Sequence, residues 1–284
     1  MPSVVGVHGI AQQFKGPNVL RTEWLPALRD GLWLAGVNFR QDDDLMCAFY
    51  GDLFRQPGTK TVGIPHYDTN DVTDDWEKEL LDAWWREAAA VVEKGVPSPE
   101  AETKAIRTPR FVQRALNALS GSRFFAGIAE RALIFDLKQV RSYLHDQAIR
   151  QAVRERVEQA VDPETRVMVG HSLGSVVAYE VLCAHPEWPV RTLVTLGSPL
   201  GIRNLIFDLL EPAPQTGIGA WPGSVQRWIN IADGGDVVAL VKDLRPSFGV
   251  NVENHLIYNG ATAHDILPYL TAKETGGAIA TGLR

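Results

Sequence analysis

The second half of the chain alternates short apolar runs with helix-like stretches, and this rhythm limits its possible architectures more than any other feature. After Asp162-Pro163 an apolar run spans residues 166–170, a helical pattern spans 172–184, and a second run over 191–196 ends in Gly197-Ser198-Pro199. A helix is expected over 201–210, strands over 225–231 and 249–258, and a helix over 263–270. Strands covered on both faces read as continuous apolar runs, and parallel neighbours need a crossover between them. The alternation therefore predicts an α/β fold with a mostly parallel central sheet and helices on both faces.

The first half adds two strands and a block of helices. Val4-Val5-Gly6-Val7 is a buried strand running into His8-Gly9, and a second is expected over 45–50, closed by Gly51-Asp52. Between them Leu20, Trp24, Leu25, Leu28 and Leu32 recur at three- and four-residue steps, the spacing of one helix face. From about 57 to 140 the chain is helical well beyond the needs of one crossover. Helices are predicted over 73–94 and 109–119, with a broken helical stretch over 128–161. A chain of 284 residues with 45% hydrophobic side chains can bury one large core. It is read as a single domain, 1–284, carrying a helical insertion at about 57–140.

Composition narrows the partners. A net charge of −6 argues against nucleic acid and anionic lipid headgroups. No apolar run approaches the roughly 20 residues that span a bilayer. The start of the chain lacks the basic and long apolar stretches of a secretory signal, so a soluble, cytoplasmic protein is expected. Cys47 and Cys183 make neither a disulfide framework nor a metal spacing and are expected to be small buried hydrophobes. Gly9 to Gly16 lacks the Lys-Ser/Thr pair of a phosphate-cradling loop, and no metal or organic cofactor is implied.

The residues that carry chemistry are Gly170-His171-Ser172-Leu173-Gly174, a G-x-S-x-G pattern after an apolar strand, with Val176, Val177, Tyr179 and Val181 continuing as a helix. A sharp strand-to-helix turn exposes a serine hydroxyl at the sheet edge and aims free N–H groups at a developing oxyanion. Gly170 and Gly174 remove side chains that would collide there. The plainer reading is a glycine-rich turn with Ser172 as a helix cap.

The segment resembles the nucleophile elbow of the α/β-hydrolase family, in the G-H-S-L-G form frequent among lipases and esterases. That resemblance implies an α/β-hydrolase fold with Ser172 as nucleophile. It implies that the His8-Gly9 pair at the end of the first strand helps to form an oxyanion hole from the Ile10 and Leu173 N–H groups. Gly9 would let the backbone approach the substrate, and His8 would brace the loop. The family's chain order is Ser, then acid, then His. Asn230 on a strand followed by Asp236-Val237 points to Asp236 as the acid, with Asp233 left open as acid or turn residue. His264 opens a helix after the last strand, where the family places its base. His255 lies inside an apolar run and reads as a core or edge histidine.

In this family such insertions form caps or lids. Trp84-Trp85, Phe124-Phe125 and Ile134-Phe135 would line an acyl pocket or merely dock the helices, and Trp221-Pro222 could rim the pocket. The expected protein is a serine hydrolase, lipase- or carboxylesterase-like, acting on a small-molecule or lipid-like acyl ester. Thioesterase, amidase or peptidase action uses the same machinery. The alternative from another class is a ligand-binding module that keeps the fold without turnover.

Overall fold

The apolar runs pair into one sheet. The computed structural model describes residues 2–37, 44–55, 65–91, 96–99, 108–122, 130–260 and 263–284. Strands β1 (Val4–Val7), β2 (Leu45–Ala48), β3 (Val167–His171), β4 (Thr192–Leu196), β5 (Arg227–Asp233) and β6 (Val252–Ile257) lie in the order β2-β1-β3-β4-β5-β6. Every pair is parallel. Val7 sits opposite Gly170, and Leu196 lies opposite both His171 and Ile231, so the carboxyl ends of β1, β3, β4 and β5 open on one edge.

Nine α-helices are formed by described residues: α1 (Pro17–Leu34), α2 (Asp75–Val91), α3 (Pro109–Ser120), α4 (Glu130–His145), α5 (Gln147–Glu158), α6 (Leu173–Ala184), α7 (Arg245–Phe248), α8 (Ile266–Thr271) and α9 (Lys273–Gly282). They divide between the two faces of the sheet because strand side chains alternate. Val5, Val7, Met168, Leu193 and Trp228 pack with apolar residues of α2 to α6. Val4, Val167, Val169, Val194 and Ile229 pack with α1, α8 and α9.

The helical insertion shares the first of these clusters. Trp84, Trp85, Ile134 and Phe135 are buried, Trp85 donating to the Pro97 carbonyl at 2.7 Å and Phe135 stacking on Tyr67. The start of the insertion at 57 and the pair Phe124-Phe125 lie outside the described residues. The long helical stretch over 128–161 is cut by Asp146. Its backbone leaves the helical region, and its side chain accepts from the N–H groups of Ala148 and Ile149, capping α5. Below the break, Tyr143, Arg150 and Arg154 converge on the fully buried Glu180 of α6. Removing one partner of such a cluster costs about 3–5 kcal/mol by stranding a buried charge.

Two segments differ from their sequence patterns. Residues 201–210 form turns and a short 3₁₀ segment (Phe207–Leu209) rather than an α-helix. Asn204 adopts a left-handed φ of 64°, and its N–H is taken by the Asp208 carboxylate. The apolar residues there are buried by a folded-back loop, not by a helical stripe. Helix α9 lies beyond the last element that the sequence pattern predicts. Gly276 allows backbone contact with α1: a Cβ there would run into the Gly31 carbonyl.

The strand order reverses direction between β1 and β3. In open parallel sheets ligands bind at the carboxyl ends of the strands beside such a switch point. Here that point is where His8-Gly9-Ile10 leaves β1 and Ser172 leaves β3.

Candidate active site

Ser172 follows β3 directly and holds φ 53°, ψ −130°, a conformation that costs a non-glycine residue about 1–3 kcal/mol. The surroundings fix it there. Its N–H donates to the Leu196 carbonyl at 3.0 Å, and its own carbonyl accepts from Ser175 N–H at 2.9 Å and Ser175 Oγ at 2.6 Å. A Cβ on Gly170 would lie 2.6 Å from Ser175 Cα, and one on Gly174 would strike the Val7 and His8 carbonyls. Only glycines let α6 start this close to both strands.

His264 lies in the loop before α8, whose N-terminus is capped by Asp265. Its Nδ1 is 2.8 Å from Asp236 Oδ2 and its Nε2 3.0 Å from Ser172 Oγ. A carboxylate beside Nδ1 keeps the proton on that nitrogen, so Nε2 presents a lone pair and the serine hydroxyl donates to it. Asp236 is fully buried and accepts four hydrogen bonds. Val238 N–H at 2.9 Å and Ala239 N–H at 3.3 Å reach Oδ1, while His264 Nδ1–H and Tyr269 Oη, each at 2.8 Å, reach Oδ2. Burial alone would raise its pKa, but His264 and these donors outweigh it and hold the carboxyl below its ordinary value.

Asp233 stands apart from this chain. Its Oδ1 accepts from Gly235 N–H at 2.6 Å and its Oδ2 from Asn259 N–H, so it closes the turn that presents Asp236. His255 is exposed on the edge strand β6. Trp221 packs against Trp228, near the start of β5 and about 16 Å along the strand from Asp233. It does not rim the site.

The loop after β1 reaches the serine from the other side. A Cβ on Gly9 would lie 2.7 Å from Ser172 Cβ, so Ile10 follows a backbone pressed against Ser172. Leu173 is the first residue of α6, where an N–H has no intrahelical acceptor. His8 ties the loop down: its Nε2 accepts from Tyr50 N–H at 3.2 Å, which leaves Nδ1–H to donate to the Gly9 carbonyl at 2.6 Å. Burial lowers its pKa to about 4 and keeps it neutral.

Three further residues shape the site. Gly197, at φ 54°, has room for no side chain, since a Cβ would lie 2.7 Å from Asp236 Oδ2 and 3.2 Å from His264 Nδ1. Tyr269 Oη accepts from Asp233 N–H at 2.7 Å while donating to Asp236. His171 Nε2–H donates to the His264 carbonyl at 3.0 Å, and burial, then the nearby His264, lowers its pKa to about 3. The glycine ending an apolar run was visible in the sequence, but nothing there linked it to Asp236.

Among the described residues no group of three His, Cys, Asp or Glu side chains could hold a metal ion, and no helix is long and apolar enough to cross a membrane. No family model, no curated protein and no solved structure matches this chain.

Proposed function

We propose that the protein is a serine hydrolase of the α/β-hydrolase type that cleaves a carboxylic ester through an acyl-enzyme. The observation that carries this reading is the unbroken chain from Ser172 Oγ through His264 to Asp236, with both contacts at 3.0 Å or less and the serine on a strained elbow. Strain of this kind persists only where the surroundings enforce it. A plain helix cap would need neither the histidine nor the buried carboxylate.

In the proposed reaction Ser172 Oγ attacks the carbonyl carbon as His264 Nε2 takes its proton. Asp236 keeps the imidazole in the competent tautomer and stabilises the imidazolium. The N–H groups of Ile10 and Leu173 hold the oxyanion, a service worth about 10²–10³ in rate per donor. His264 then protonates the departing alkoxide. Water, activated by the same histidine, releases the acid and restores the serine.

A lipase- or carboxylesterase-like action on a small-molecule or lipid-like ester is the reading adopted. Thioester, amide and peptide bonds differ only in the leaving group, which a matched substrate series resolves. The direct experiment is hydrolysis of short-chain p-nitrophenyl esters by the wild type and Ser172→Ala. A loss of at least about 10³ with an unchanged melting temperature is expected. Equal activity in the two proteins would refute the proposal and favour a binding module without turnover.

A further inference from the structure

The sheet ends on β6, beyond which no strand pairs among the described residues. Gly234 N–H donates to the Ile257 carbonyl at 3.3 Å and Asn259 N–H to the Asp233 carboxylate, so the backbone of Ile257 and Asn259 faces β5. Backbone groups alternate in direction along a strand, so the N–H and carbonyl groups of Asn254 and Leu256 point outward. Native sheets blunt such edges with lysine, proline or a bulge. Residues 250–258 hold no lysine and no proline, and the register with β5 runs unbroken from Val252 to Ile257.

Apolar side chains stand in water along this edge. Leu256 on the strand is 67% exposed, and Val250 and Tyr258, just before and just after it, are 86% and 78% exposed. Apolar residues scattered singly over a surface need no explanation, but three on one sheet edge mark an interaction surface. The acid of the strand is already set in place, since Glu253 accepts from Arg227 Nη2 at 2.9 Å on each carboxylate oxygen. His255, two residues on, is exposed on the same face of the strand.

We infer that β6 pairs antiparallel with β6 of a second copy of this chain, about a two-fold axis at Asn254, so that one continuous sheet crosses a homodimer. A two-fold contact uses the same patch on both subunits, and this edge is self-complementary in that register. Asn254 faces its own copy and exchanges both backbone bonds with it, while Leu256 N–H donates to the Val252 carbonyl of the second copy. Val252 faces Leu256 of the second copy, and Val250 comes beside Tyr258 of the second copy. On the opposite face Glu253 meets His255 of the second copy, at the non-hydrogen-bonded positions where side chains come closest. Axes at His255 or Leu256 would set Glu253 against Ile257 or Asn259 instead, and the acid–imidazole pair selects Asn254. The inference stands apart from the proposed reaction, and its test needs no substrate.

Sedimentation equilibrium of the full chain reads the assembly directly. At about 100 µM the wild type is expected to show a species of twice the 31.3 kDa chain mass. Leu256→Pro removes an outward N–H that the ladder with β5 does not use, and edge strands accept proline at such positions, so the dimer should be lost while the melting curve stays cooperative. His255→Glu changes an exposed side chain and leaves the fold alone, so it keeps the test decisive if the proline variant misfolds. It sets like charges opposite each other twice across the axis and should weaken the dimer about tenfold, whereas His255→Lys should keep it. A wild type that stays monomeric at about 100 µM would overturn the inference. So would a dimer equally tight in folded Leu256→Pro or in His255→Glu.

Discussion

Replacing Gly197 by alanine would place a single methyl group against both ends of the Asp236–His264 contact. The backbone there holds φ 54°, which costs an alanine about 1–2 kcal/mol. The new Cβ would start 2.7 Å from Asp236 Oδ2 and 3.2 Å from His264 Nδ1, so the carboxylate must retreat by several tenths of an ångström. Overpacking of this size adds about 1–3 kcal/mol. Together these lower the melting temperature by roughly 5–10 °C. Activity suffers more. An aspartate replaced by asparagine in the serine-protease triad costs about 10⁴ in kcat, and a displaced but still ionised carboxylate retains part of that, giving an expected loss of about 10²–10³. The assay is p-nitrophenyl butyrate hydrolysis with a melting curve on the same sample. Gly234→Ala is the control, because nothing lies within 4 Å of its added Cβ, and it should stay within about twofold of wild type. Gly197→Ala with wild-type kcat would refute the claim that Asp236 must stand where it does.

Tyr269→Phe removes a donor to Asp236 and strands the Asp233 N–H, so it should cost about 1–3 kcal/mol in a denaturant titration and lower kcat several-fold. Full activity at unchanged stability would show that the four donors on Asp236 are redundant. The buried His8 and His171 hold pKa values of about 4 and about 3, so below their ordinary 6.5 the unfolded chain binds two protons that the folded chain does not. Stability is then complete above about pH 6.5 and falls by up to about 3 kcal/mol per pH unit between about pH 6 and 4.5. Calorimetry at pH 7 and pH 5 reads this directly, and equal melting temperatures would contradict the neutral burial of both rings. Glu180→Gln should destabilise by about 3–5 kcal/mol, because Arg150 and Arg154 lose their shared carboxylate, and a loss under 1 kcal/mol would mean that the cluster contributes little.

Strands β1 to β4 were legible because each lies in an apolar run bounded by glycine, aspartate or proline. Val4–Val7 and Thr192–Leu196 fall within a residue of where the pattern places them. The elbow was legible because its chemistry requires a short contiguous motif. What escaped the sequence depends on approach through space. Residues 201–210 carry apolar side chains at helix-like intervals, yet a left-handed Asn204 turns them inward as a loop. Helix α9 contains Gly276, whose lack of a side chain lets the helix meet Gly31, distant along the chain. Asp236 was favoured over Asp233 from the sequence by resemblance alone, and the structure shows that Asp236 faces His264 while Asp233 closes the turn.

The central claim is that Ser172 is an activated nucleophile. Incubation with a fluorophosphonate probe, followed by peptide mass spectrometry, tests it most directly. The expected result is a single adduct on Ser172 in the wild type and in His255→Ala, with labelling lost in His264→Ala. Folded wild-type protein that takes no label, or labelling that persists undiminished in His264→Ala, would contradict it.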